Sequence, residues 1–207
     1  MNAPVNDQSE HLPDSSYVSL QTLGEFLIGR RDAIGKIMDC PAAIWIGLVF
    51  VIAAGFAREY DGESLVHEPW HLLIPLGASI ASSLVLYIVL YLVSICRKAP
   101  RRGFIAGYRQ FLTLYWMTAP LALVYGIPFE RMVSPVDAMR ANLVLLGIVA
   151  AWRVILMIRV ASVLYKCHWT AATCAVMLFA NSLAFTAIML MPKPILNLMG
   201  GIRLTES

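Results

Sequence analysis

Charged residues are scarce in this chain, and they are absent from four long stretches. Asp, Glu, Lys and Arg make up 14% of the 207 residues, whereas a typical soluble domain carries about 25%. The uncharged stretches are 40–57, 69–96, 110–129 and 167–192, and a fifth stretch, 141–158, is interrupted only by Arg153. A hydrocarbon core about 30 Å thick requires roughly 20 mainly apolar residues in a helix. The pattern therefore excludes a soluble globular domain and predicts a membrane protein.

Carboxylates are missing from the predicted membrane interior. All 13 acidic residues lie outside the five spans that these stretches predict, which are 41–57, 72–96, 111–127, 139–163 and 169–191. Proton- and sodium-coupled carriers usually place carboxylates inside the membrane, so their absence argues against coupled transport. The sequence also lacks the phosphate-binding and nucleophile-elbow motifs of nucleotide-binding proteins and hydrolases. We expect no cofactor and no enzymatic activity.

The predicted fold is an all-α, polytopic membrane helix bundle, because lipid offers no hydrogen-bond partner to a free backbone N–H or C=O group. Residues 1–16 are polar and are expected to be disordered. Residues 17–39 are expected to form an amphipathic helix at the membrane surface. Residues 40–192 form the five-span domain, and residues 193–207 form a short external tail.

Basic residues beside the spans predict the orientation. Ten Lys and Arg residues flank the spans on the side of the N-terminus, and five flank them on the opposite side. The positive-inside rule then predicts a cytoplasmic N-terminus and an external C-terminus, in the cytoplasmic (inner) membrane of a bacterium. The net charge of +3 comes from these flanking residues, so it does not indicate a nucleic-acid partner. The expected partners are the lipid bilayer and protein subunits or further copies of the chain.

The segment 17–39 carries apolar residues at helical spacing together with three basic residues. The apolar set is Leu20, Leu23, Leu27, Ile34 and Ile37, and the basic set is Arg30, Arg31 and Lys36. Such a helix lies in the interface, where its basic residues meet anionic lipid. We interpret it as a membrane-surface anchor on the cytoplasmic leaflet; a partner-docking helix is the alternative.

One short segment matches a metal-binding pattern. His67, Glu68 and His71 fit H-E-x-x-H, in which two histidines one helical turn apart bind zinc and the glutamate acts as a base. Pro69 argues against this interpretation, because proline is tolerated in the first turn of a helix but breaks its interior. We expect an acidic external loop without a metal, in which Pro69 starts the second span. A metal site made of these three residues is the alternative.

Arg153 is the one charge well inside a predicted span, and an intramembrane charge indicates a functional site by default. The side chain could snorkel to the headgroups, make a buried polar contact, or bind a substrate or a lipid phosphate. The last two predicted spans form an antiparallel hairpin centred near Cys167, which places Arg153 and Asn181 at similar depth. We therefore predict a polar pair between them, since such pairs tie helices together in lipid.

Small residues in the second span and prolines in the third predict how the helices pack. Gly77/Ala81 and Ala78/Ser82 are small-xxx-small pairs, which let two helices approach closely. Packing within the chain is the expected use of this face, with an oligomer or a partner subunit as the alternative. Pro120 predicts a kink in the third span.

These features favour a non-enzymatic integral membrane protein that acts as an accessory or scaffold subunit of a membrane complex. One alternative is a small permease or channel in which Arg153 and Asn181 line a path. The other is a metal-dependent membrane enzyme that uses the segment from His67 to His71.

Overall fold

The computed structural model describes residues 18–58, 73–96, 103–127, 132–166 and 168–190, and all regular structure in these ranges is helical. This confirms the all-α fold. The elements in chain order are α1 (Leu20–Leu27), α2 (Arg31–Asp39), α3 (Ala43–Arg58), α4 (Leu73–Cys96), α5 (Phe104–Trp116), a 3₁₀ helix (Ala119–Gly126), α6 (Pro135–Leu164) and α7 (Trp169–Leu190).

Two helices are long and apolar enough to cross a membrane. They are α4, over Leu76–Ile95 with a mean hydropathy of 2.2, and α6, over Val136–Leu164 with a mean hydropathy of 2.3. Helices α2 and α3 pass the same test together, but they meet at 103°, as in a broken span or a re-entrant loop. Within the described ranges there are thus two or three candidate spans, fewer than the five predicted.

The third predicted span, 111–127, is not one helix. Helix α5 ends at Trp116, and its 13 residues are about 20 Å long at 1.5 Å per residue, which is shorter than the hydrocarbon core. After a turn at Met117 and Thr118, the chain continues as the 3₁₀ helix with Pro120 in its first turn. Proline has no N–H to donate to the carbonyl four residues earlier, and its ring clashes with that carbonyl. A kink was expected at Pro120, but the α-helix instead ends before this residue.

The N-terminal segment, predicted as one helix over 17–39, is two helices separated by a turn at Gly29. Gly29 has φ +82°, the left-handed conformation that glycine adopts without steric cost. Gly29 N–H donates to Phe26 O over 2.7 Å, and Arg30 N–H donates to Glu25 O over 3.0 Å. These two bonds form a Schellman motif, which satisfies carbonyls at the end of α1.

Part of the apolar face of this segment is covered by protein. Phe26, Ala33, Ile34 and Ile37 are all fully buried and belong to the same apolar cluster as residues of α5 and α6. Burying a Phe or Ile side chain contributes about 1.5–3 kcal/mol relative to leaving it in water. These residues therefore join the segment to the helix bundle, while Leu20 and Ile28 of the same segment remain exposed, at 87% and 77%.

Two side chains of α6 bind the carbonyl groups at the end of α1. Trp152 Nε1 donates to Leu27 O over 2.9 Å, and Arg159 Nε donates to Gly29 O over 3.2 Å. The last carbonyls of a helix have no partner within it, and a cation near them is favoured by the helix dipole. These bonds fix the turn between α1 and α2 against the second half of α6.

Replacing Gly29 by alanine is expected to destabilise the protein by about 1–2 kcal/mol, because the left-handed conformation costs this much for a residue with a Cβ. The new Cβ would also lie 3.2 Å from Arg159 Cγ. The measurement is denaturant unfolding of the purified protein in detergent. Gly35→Ala is the matched control: Gly35 lies inside α2 with no atom within 4 Å of an added Cβ, so it should gain about 0.5–1 kcal/mol. Equal effects of the two changes would contradict this account of the turn.

Candidate functional site

Aromatic rings pack between α4 and α5. Tyr87, which is 2% exposed, lies within 5.2–5.8 Å of four other rings, measured between centroids: Tyr91, Phe104, Tyr108 and Phe111. Its hydroxyl donates to Phe104 O over 2.9 Å. A Cβ at position 107 would lie 2.5 Å from the Tyr87 oxygen, so Gly107 is required for this approach. The rings hold the first half of α5 against α4.

Serine side chains of α4 continue this contact as hydrogen bonds. Trp116 Nε1 donates to Ser79 Oγ over 2.9 Å. Ser82 shares a hydrogen bond with the Tyr115 hydroxyl, and Ser83 shares one with the Tyr108 hydroxyl, each over 3.3 Å. Apolar side chains are as stable against lipid as against another helix. Hydrogen bonds between side chains are therefore among the forces that hold helices together in a membrane.

Arg153 joins this group at the point where α5 ends. Its Nε donates to Thr118 Oγ1 over 3.2 Å, and its guanidinium carbon lies 5.7 Å from the centre of the Tyr115 ring. Thr118 is fully buried, and its hydroxyl donates to Tyr115 O over 2.7 Å. The negative end of a helix dipole and the face of an aromatic ring both favour a cation. The half-buried Arg153 thus makes a polar contact inside the bundle.

No carboxylate balances this charge within the described residues. Glu25, Asp32, Asp39 and Asp137 are the acidic residues in these ranges, and the one salt bridge found there joins Glu25 to Arg30 over 2.9 Å. The positive charge of Arg153 is balanced by dipoles and a ring, which are fixed groups that cannot take up its proton. The arrangement can hold helices and attract an anion, but it contains no base for acid–base catalysis.

The predicted pair of Arg153 with Asn181 is not formed among the described residues. Asn181 is exposed on α7, and Arg153 bonds Thr118 instead. Depth along the hairpin relates α6 only to α7, whereas the partner of Arg153 lies in the turn that follows α5. Pro120 was the available signal: a proline in a span frees a carbonyl group, and a nearby cation can satisfy it.

The small residues of α4 that were predicted to form one packing face lie in two different environments. Ser82 contacts α5 through Tyr115, as expected for packing within the chain. Gly77, Ala78 and Ala81 are exposed, and a Cβ added at Gly77 would meet no atom within 4 Å. By contrast, a Cβ at Gly47 of α3 would lie 2.9 Å from Trp116 Cβ. Gly47 is thus a packing glycine within the bundle, and Gly77 is not.

The candidate metal residues His67, Glu68 and His71 lie outside the described residues. Within the described ranges, no three His, Cys, Asp or Glu side chains are grouped so that they could hold a metal ion.

Comparison with protein-family models, with curated proteins and with solved structures gives no match to this chain.

The contact between Arg153 and Thr118 can be tested with a double-mutant cycle. Thr118→Val leaves the Arg153 Nε without its acceptor and is expected to cost about 1–2 kcal/mol of unfolding free energy. In an Arg153→Met background the same change should cost about 1 kcal/mol less, because no charged donor is left unpaired. Unfolding of the four proteins in detergent gives the coupling energy.

Asn181→Leu is the control for this cycle. It should show a coupling below about 0.5 kcal/mol with Arg153→Met, as expected for residues without contact. A larger coupling of Arg153 to Asn181 than to Thr118 would restore the pair predicted from the sequence.

Proposed function

We propose that this protein is a non-enzymatic integral membrane protein that serves as an accessory or scaffold subunit of a membrane complex. The observation that carries the proposal is the open environment of Gly77, where an added Cβ meets no atom within 4 Å. A glycine in the interior of a helix costs roughly 0.5–1 kcal/mol relative to alanine, and no described residue fills the space beside Gly77. A helix from another chain would use it.

The open face of α4 has the length and composition of a helix–helix contact in lipid. Gly77 and Ala81 lie four residues apart at one end, and the half-exposed Ile88 and Leu92 continue the same face toward the other end. From Gly77 to Leu92 the face is about 22 Å long at 1.5 Å per residue. Small residues at one end let backbones approach, and the larger ones fill the widening gap. The occupant that fits is a transmembrane helix of a partner subunit.

The membrane arrangement that accompanies this proposal has five spans. Helices α3, α4, α6 and α7 would each be a span, and α5 with the 3₁₀ helix would make the third in two pieces. The excess of Lys and Arg on one side, ten against five, supports a cytoplasmic N-terminus and an external C-terminus. The proposed location is the cytoplasmic membrane of a bacterium.

Two rival functions have less support. A permease requires a path that reaches Arg153, and Asn181, its proposed companion, lies exposed on α7 and does not bond Arg153. A metal-dependent enzyme depends on His67, Glu68 and His71, for which the described residues offer no supporting ligand group.

Gly77→Leu is expected to reduce the amount of partner that co-purifies in mild detergent by at least tenfold, which corresponds to about 1.4 kcal/mol, because the leucine side chain keeps the partner helix away. The measurement is quantitative mass spectrometry of the purified complex. Gly147→Leu is the matched control, since Gly147 is an exposed glycine of α6 that also has no atom within 4 Å of an added Cβ. The Gly147→Leu protein should retain the partner.

Two outcomes would count against this proposal. The first is a wild-type protein that purifies alone as a monomer. The second is an equal loss of partner in the Gly77→Leu and Gly147→Leu proteins. Oxidation of an Ala81→Cys variant distinguishes the occupants, because a disulfide-linked dimer forms only where a second copy lies on this face.

A further inference from the structure

An apolar groove lies between α4 and α7, further along α4 than Gly77 and Ala81. Its volume is about 410 Å³. Val85, Val89 and Val93 line one wall at intervals of four residues, and Ala171, Cys174 and Leu178 line the other. Residues three and four apart share one face of a helix, so each wall is a single continuous row. The small Ala and Cys side chains of α7 leave the space between the rows unfilled.

The dimensions of the groove suit a single hydrocarbon chain. From Val85 to Val93 it extends about 12 Å along α4, close to the half-thickness of a hydrocarbon core about 30 Å thick. An apolar cavity of about 150 Å³ holds one benzene molecule, and in proportion 410 Å³ holds about 16 carbon atoms. A helix about 10 Å across would occupy about 900 Å³ over the same length. The groove thus fits an acyl chain more closely than a partner's helix.

Lys166 supplies a positive charge near one end of this groove. Lys166 and His168 are exposed residues that precede α7, and His168 is one helical turn before Ala171, a lining residue. Nδ1 of His168 accepts from Thr170 N–H over 3.4 Å, which leaves Nε2 as the donor of the ring. No Asp or Glu occurs in α4, in α7 or in the turn between α6 and α7. Lys166 has φ +46°, a conformation in which glycine is the usual residue at the end of a helix. Lys166 thus places an ammonium group at a position where the backbone conformation favours glycine.

We propose that this groove binds an anionic phospholipid, with one acyl chain between α4 and α7 and the headgroup phosphate near Lys166 and His168. The apolar rows select a hydrocarbon chain, and the basic end selects a negative headgroup. Each basic residue near the membrane surface attracts anionic lipid. The proposal goes beyond the subunit function, because this site needs the wall supplied by α7, whereas the partner-helix contact uses the adjoining Gly77 and Ala81 of α4.

The test is native mass spectrometry of the full chain, extracted in mild detergent from bilayers of equal phosphatidylglycerol and phosphatidylcholine. The wild type is expected to retain one phospholipid, with phosphatidylglycerol favoured about fivefold, the factor expected for one lysine near anionic lipid. Lys166→Gln should retain a lipid but lose this preference. Lys36→Gln, which removes an exposed lysine of α2, should behave as the wild type.

A second experiment fills the groove with a larger side chain. Cys174→Trp places a large side chain between the two rows and should reduce the retained lipid at least tenfold. Ala150→Trp, at an exposed position of α6, is the matched control and should retain it. Equal lipid retention by these two variants, or a wild type without retained lipid, would overturn the proposal.

Alkylation of Cys174 in the wild type tests the same proposal without a tryptophan variant, and so does not depend on whether that variant folds. Cys174 is a free, exposed thiol on the wall of the groove. In the wild type its reaction with N-ethylmaleimide, read at Cys174 by mass spectrometry, should be at least fivefold faster after removal of lipid. An unchanged rate would contradict occupation of the groove by lipid.

Discussion

The charge of Arg153 is held at the place where α5 stops, and the arrangement of the middle of the bundle depends on this contact. A guanidinium cannot lose its proton in a protein, and no described carboxylate pairs with Arg153, so dipoles must satisfy its charge. The end of α5, the Thr118 hydroxyl and the Tyr115 ring supply them. The break that frees this helix end also turns the chain into the 3₁₀ helix. One interruption of backbone hydrogen bonding thus accommodates both a proline and a buried cation.

The same physical rule explains how the N-terminal helices are attached. Arg159 donates to Gly29 O, and Trp152 donates to Leu27 O, so a second helix end is bound by side chains of α6. Carbonyl groups at a helix end have no partner within the helix, and leaving them unpaired away from water costs free energy. Helix α6 therefore stabilises the bundle through side chains that bind at the ends of two shorter helices, α1 and α5.

Sequence patterns located the long helices well and failed where the chain breaks. Hydropathy places the bounds of α3, α4 and α7 within two residues, because an uncharged run and a helix in lipid have the same physical requirement. The turn at Gly29 was missed, since helical spacing continues across it and a left-handed glycine leaves no mark on hydropathy. Thr118 was missed as the partner of Arg153, because contacts between non-adjacent helices depend on tertiary packing that periodicity does not contain.

Helix α4 shows how one span can serve three kinds of contact. Successive residues are turned by about 100°, so Ser79, Ser83 and Tyr87 share the side that packs on α5. Val85, Val89 and Val93 share the side that faces the groove, and Gly77 and Ala81 lie on the adjoining side, where a Cβ added at Gly77 meets no described atom within 4 Å. Hydrogen bonds secure the first side within the chain. Because that side already fixes the helix, the proposed acyl chain and partner helix would use the two remaining sides, which adjoin between Ala81 and Val85.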